Sequence, residues 1–168
     1  ITIQNTPPNI SSISISPTEA YTTDSLVCEA IAEADLDQDT TSITYEWFVN
    51  NQLSTNSTNT FDSSLFQKGD SVLCAATVSD QDSNTIEEVE VIIQNTAPIV
   101  QSISLTSPAS MLDIIYCEVL SNDDDLDLII HEYEWFVSGV QINHANSFLD
   151  PQNPLLSIEP GDDISCTA

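Results

Sequence analysis

The chain has no arginine and a single lysine, Lys68, against 27 acidic residues, so 168 residues carry a formal net charge of −26. That absence excludes a nucleic-acid partner, because gripping a phosphate backbone takes a basic stripe. Anionic membrane surfaces are excluded for the same reason. Glycine is scarce, at three, and scattered. Neither a phosphate-cradling loop nor a Gly-x-Ser-x-Gly elbow is possible with so few. The only histidines are His131 and His144. His131-Glu132 begins like a zinc-protease helix, yet its fifth position is Trp135 and the segment reads as strand. Carboxylates are plentiful, but nothing selects an acid–base pair from a surface full of them. Catalysis is therefore not expected. No apolar run approaches about 18 residues, so no direct membrane insertion is expected either.

What the chain does contain is a repeated sentence. Tyr45-Glu46-Trp47-Phe48-Val49 returns as Tyr133-Glu134-Trp135-Phe136-Val137, and Ile3-Gln4-Asn5-Thr6 returns 90 residues later as Ile93-Gln94-Asn95-Thr96. Cys28, Trp47 and Cys74 stand 19 and 27 positions apart; Cys117, Trp135 and Cys166 stand 18 and 31 apart. A cysteine pair bracketing one tryptophan at this period marks a β-sandwich of immunoglobulin type. Two cysteines per repeat at matched positions read as two intra-domain disulfides and an oxidising compartment, with buried free thiols as the alternative. Each bridge would close a long loop and contribute about 4 kcal/mol in the chain-entropy model. Hydrophobic residues make up 40% of the chain, in regular clusters, which argues for a folded core despite the charge. Self-repulsion at this density points to high salt, bound divalent cations, or both.

The expected fold class is all-β: two tandem immunoglobulin-like β-sandwich domains, the second lacking its last strand. Residues 1–7 match the end of a last strand, 8–97 form domain 1, and 98–168 an incomplete domain 2. Period-two alternation places strands near 9–16, 25–33, 42–49, 60–66, 71–79 and 86–94 in the first repeat. In the second they fall near 99–106, 113–120, 129–137, 146–149 and 163–168. Proline-bearing linkers without glycine, Asn5-Thr6-Pro7-Pro8 and Asn95-Thr96-Ala97-Pro98, suit a semi-rigid rod.

With these segments in place, the run Asp-x-Asp…Tyr-Glu-Trp-Phe-Val…Lys-Gly-Asp-Ser-Val-Leu-Cys resembles the Ig-like repeats of large bacterial and archaeal cell-surface proteins. Those repeats are similar in usage to PKD and cadherin-type modules, which serve as spacers, adhesive stalks and fibre subunits. The resemblance implies an extracellular or cell-surface structural module whose partners are copies of itself in a polymer or adjacent repeats of a longer chain. The alternative is an adhesin module gripping a carbohydrate or protein through its apical loops, although those loops hold few of the aromatic faces that sugars stack on.

Three groups of residues are candidates for function. Asp35, Asp37 and Asp39 follow the second strand, Asp80 and Asp82 follow a later one, and Asp123, Asp125 and Asp127 repeat the first group. Carboxylates at alternate positions of a turn converge their oxygens, as Ca²⁺ requires; a solvated acidic loop is the competing reading. Ile1 and Ile3 form an orphan strand that could complete a neighbour's sandwich, while completion in cis by further chain is the other reading. Phe48 and Phe136 each follow a core tryptophan and point outward, either as a lateral assembly contact or under the adjoining hairpin. Asn9 and Asn56 sit in Asn-x-Ser/Thr triplets that would accept glycans in a glycosylating host.

Overall fold

The computed structural model describes residues 1–106 and 109–168. The chain divides into two compact units, Ile1–Thr96 and Ala97–Ala168. Both are all-β.

Unit 1 contains β1 (Ile10–Ser16), β2 (Ala20–Tyr21), β3 (Leu26–Ala32), β4 (Ser42–Val49), β5 (Gln52–Leu53), β6 (Thr60–Phe61), β7 (Ser71–Ser79) and β8 (Asn84–Gln94). One sheet runs β1-β3-β6, the other β2-β8-β7-β4-β5. All of these neighbours are antiparallel except β2, which lies parallel to the end of β8. Alternation decides which side chains enter the space between the sheets. On β7, Val72, Cys74, Ala76 and Val78 are fully buried. On β4, Trp47 is buried while Thr44 and Glu46 face solvent. The Cys28–Cys74 disulfide joins β3 to β7 across the sandwich, with Cα atoms 6.5 Å apart. Trp47 lies against Phe61, ring centroids 4.9 Å apart, and its indole N–H donates to the Thr58 carbonyl at 2.8 Å. The tryptophan therefore fills the core without stranding its one polar group.

Unit 2 contains β9 (Ile99–Leu105), β10 (Ile115–Asn122), β11 (Glu134–Val137), β12 (Val140–Ile142), β13 (Phe148–Leu149) and β14 (Ile164–Thr167). β10 pairs with β9 and β13; β12-β11-β14 forms the other sheet. The Cys117–Cys166 disulfide joins β10 to β14, with Cα atoms 6.4 Å apart. Trp135 repeats the role of Trp47, donating to the Asn146 carbonyl at 2.8 Å. Among the described residues of unit 2 no strand corresponds to β8, so β14 is an edge.

The structure corrects two of the expected strands. Instead of 60–66, β6 stops at Phe61, because Asp62 caps a 3₁₀ turn over Ser63–Leu65 by accepting from the Ser64 amide at 3.0 Å. Instead of 129–137, β11 begins at Glu134. There its pairing with β14 begins, Glu134 standing opposite Thr167. The short β2, β5 and β12 are too brief for a period of two to register.

Candidate metal centres in two acidic loops

Each acidic loop leaves the end of a strand paired to the first strand of its unit, β3 in unit 1 and β10 in unit 2. The leading aspartate then organises the turn. Asp35 Oδ1 accepts from the Asp37 amide at 2.8 Å and the Asp39 amide at 3.4 Å. Asp123 Oδ1 does the same for Asp125 at 2.9 Å and Asp127 at 3.2 Å. A side-chain oxygen bonding the backbone two residues on is the ordinary Asx-turn device. Here it wraps the chain tightly enough to put Gln38 at φ 65° and Leu126 at φ 61°, the left-handed region that side chains other than Gly, Asn and Asp rarely occupy.

In each loop, one carboxylate oxygen from each of the three aspartates lies within 4.8 Å of the other two. The second oxygen of the leading residue is the informative one. Asp35 Oδ2 and Asp123 Oδ2 are both buried and accept no hydrogen bond, and Asp123 as a whole is only 4% exposed. A buried carboxylate oxygen without a donor is costly, and a cation is the partner that would offset the cost. Either trio can hold a metal ion.

Around the first loop the structure adds further groups. The Thr6 amide donates to Asp37 Oδ2 at 2.5 Å. Asn5 Nδ2 donates to Asp80 Oδ2 at 3.1 Å and to Ser83 Oγ at 2.9 Å. The segment that enters unit 1 is thus tied to its acidic pole. The Asn5 bond, first, and the Asp82 and Ser83 amides hold the Asp80 carboxyl below its ordinary range against some desolvation. Asp39 moves the other way: loss of solvent and then the charges of Asp35, Asp80, Asp37 and Asp82 raise its carboxyl above the ordinary value. Asp80 and Asp82 act on Asp39 through their charges but lie outside the set of carboxylates that converge within 4.8 Å; Asp80 Oδ1 accepts from the Asp82 amide at 2.7 Å and the Ser83 amide at 2.6 Å.

The remaining candidates lie apart from these loops. Ile1 and Ile3 are fully exposed and in no strand. Phe48 is half-buried and pairs with Leu53 of β5; Phe136 is half-buried and pairs with Gln141 of β12. Asn9 is exposed, with Nδ2 donating to Glu33 at 3.0 Å. Asn56 is half-buried, with Oδ1 accepting from the Thr58 amide at 2.8 Å. Sequence reading missed Asn5, Thr6 and Ser83 as neighbours of the acidic pole. The return of Asn5-Thr6 as Asn95-Thr96 was the one available signal.

The chain matches no protein-family model and no curated protein. Both cysteine pairs are oxidised, which suits an oxidising environment, and among the described residues no helix is long and apolar enough to cross a membrane.

Proposed function

We propose that this chain is a structural repeat segment of an extracellular or cell-surface filament, stalk or fibre, assembling end to end and stiffened by calcium. The observation that carries this reading is the duplicated cradle, in which Asp35 and Asp123 each spend one oxygen on the loop and keep the other buried and unspent. An all-oxygen, all-carboxylate donor set favours a hard cation, and Ca²⁺ tolerates the irregular geometry of such loops better than Mg²⁺. In unit 1 the trio also receives the Thr6 amide, so an ion there would fix the entering segment to the sandwich. A chain of net charge −26 gains from any bound divalent cation, because it dilutes the self-repulsion. Near absence of lysine and arginine also leaves little for trypsin-like proteases to cut, which suits an exposed fibre. Expected affinity is weak, about 10⁻⁴–10⁻³ M, as in extracellular modules.

Thermal melts in millimolar calcium and then in chelator test the ion, with a rise that the chelator reverses as the expected result and an unmoved midpoint as the refutation. Electron microscopy of the purified protein tests the polymer. Glycan-array binding without any polymer would favour the adhesin reading instead.

A further inference from the structure

We infer that Asn56, rather than Asn9, is a glycan acceptor, its side-chain amide presented on the loop between β5 and β6 to a polyprenyl-pyrophosphate-linked oligosaccharide. The inference stands apart from the fibre reading and does not depend on it.

The chain holds two Asn-x-Ser/Thr triplets, Asn9-Ile10-Ser11 and Asn56-Ser57-Thr58. Transfer to such a triplet engages the asparagine amide and the hydroxyl two residues on, so both groups have to be within reach on one side of the chain. The fold treats the two triplets differently. Ile10 opens β1 and is buried in the sandwich. Beside it, Asn9 Nδ2 donates to Glu33 Oε2 at 3.0 Å and the Asn9 carbonyl accepts from the Glu33 amide at 2.9 Å. The Ser11 hydroxyl donates to the Ile31 carbonyl at 3.0 Å. Amide and hydroxyl are both committed to the neighbouring strand and its end.

At the second triplet the chain turns instead of extending. Asn56 Oδ1 accepts from the Thr58 amide at 2.8 Å and lies 3.0 Å from the Thr58 hydroxyl, an Asx-turn that brings the side-chain amide and the hydroxyl together. Both contacts fall on Oδ1, so Nδ2 is left over: among the described residues it donates to no acceptor. Ser57 and Thr58 are exposed. The loop is held on either side of this turn. The Ser54 amide donates to the Trp47 carbonyl at 2.7 Å, the Trp47 indole donates to the Thr58 carbonyl at 2.8 Å, and the Asn59 carbonyl accepts from the Cys28 amide at 2.8 Å. These bonds use backbone atoms of the loop, so a bulky group on Nδ2 leaves the tryptophan and disulfide core as it is.

Charge and position agree with this choice. Residues 47–61 carry no acidic side chain, so an anionic donor approaches the loop without the repulsion that Glu33 sets beside Asn9. Phe61, just after the loop, pairs with Leu26 at the start of β3, whereas the acidic loop leaves the other end of that strand. A glycan on Asn56 therefore lies away from the aspartate trio. Unit 2 lacks the acceptor. Its Trp135 indole binds the Asn146 carbonyl eleven residues on, as Trp47 binds Thr58, which sets His144-Ala145-Asn146 where unit 1 has Asn56-Ser57-Thr58. The two disulfides suit an oxidising compartment of the kind in which such transfer takes place.

In the transfer, Nδ2 forms a bond to the anomeric carbon of the donor sugar, and the bond from that carbon to the pyrophosphate oxygen breaks. The pyrophosphate leaves with the electron pair, and Nδ2 gives up one proton to a base of the transferring enzyme.

The test incubates the folded 168-residue protein with an oligosaccharyltransferase and a polyprenyl-pyrophosphate-linked glycan, and reads intact mass and peptide maps. A peptide with the sequence of residues 54–59 verifies that the enzyme is active. One glycan per chain is expected, on Asn56, with Asn9 modified about tenfold more slowly or not at all. Asn56→Gln and Thr58→Val should each abolish transfer to the loop. In Thr58→Ser both triplets end in serine, and Asn56 should still lead, because the fold and not the residue type selects it. Peptide maps of the unsubstituted chain decide between Asn9 and Asn56 even where a variant fails to fold. No glycan on the folded protein, equal modification of both asparagines, or loss of the preference in Thr58→Ser overturns the inference.

Discussion

Unit 1 and unit 2 are built on one frame and filled to different degrees. Unit 1 buries eleven residues around its disulfide, including Val91 and Ile93 from its last strand. Unit 2 buries four, Ile115, Cys117, Trp135 and Leu149, around its own. Yet the tryptophan hydrogen bond, the bridge between sheets and the acidic turn are the same in both. The difference teaches that the cysteine–tryptophan frame and the aspartate cradle recur around cores of different size. In unit 1, β8 seals the face of β7 and contributes Val91 and Ile93 to the core.

The disulfides offer the hardest way to break that comparison. Replacing both cysteines by alanine in either unit should remove about 4 kcal/mol. Unit 1, with its larger core, should stay folded in Cys28→Ala/Cys74→Ala, whereas Cys117→Ala/Cys166→Ala should unfold unit 2. The Trp47 and Trp135 indole N–H resonances report each unit separately. Equal survival of both units would mean that their cores differ less than their burial suggests.

Calcium sharpens it next. At a concentration a hundred times the dissociation constant, each loop should gain about 2.7 kcal/mol, read as a rise in melting temperature. Asp123→Asn should abolish the gain in unit 2 and spare unit 1, and Asp35→Asn the converse. A full calcium response in Asp123→Asn would show that the buried oxygen is not a ligand.

A smaller effect should come from the left-handed residues. Leu126→Gly and Gln38→Gly relieve a positive φ and should each stabilise by about 1 kcal/mol or less in urea, the glycine's greater unfolded freedom offsetting part of the gain. Destabilisation at Leu126 alone would mean that its side chain, though 90% exposed, contributes contacts in unit 2 that Gln38 lacks in unit 1.

The smallest is a pH effect on turns. Hydrogen bonds from the Ser64 hydroxyl, first, and then its amide hold the Asp62 carboxyl below its ordinary value against some desolvation. In unit 2 the Ser110 hydroxyl and amide act likewise on Asp113. A carboxyl lowered by folding adds stability that is fully present above its unfolded value and is lost as pH falls through the folded one. Asp62→Ala and Asp113→Ala should therefore each destabilise the protein at neutral pH, and the deficit should vanish in strong acid. A deficit that persists there would assign the loss to packing rather than to charge.

Much of this was legible in one dimension. Cys28 and Cys117 fall on the same alternating face as their neighbours, so the bridges, the inward tryptophans and the all-β class follow from a period of two. The acidic trios were visible as Asp-x-Asp-x-Asp, but the division of labour within them was not. Which oxygen of Asp35 or Asp123 closes the turn, and which stays buried without a donor, depends on how the loop is packed. Alternation over 60–66 likewise did not show that Asp62 would cap a 3₁₀ turn and end β6 at Phe61.

Local order along the chain thus set the elements, the sulfur pairs and the period, because side-chain direction in a strand alternates whatever lies beyond it. Assembly in three dimensions alone settled the burial of Asp123 and the tether from Thr6 to Asp37. Each of these joins residues far apart in sequence, and their energies exist only once those residues share, or fail to share, the same excluded water.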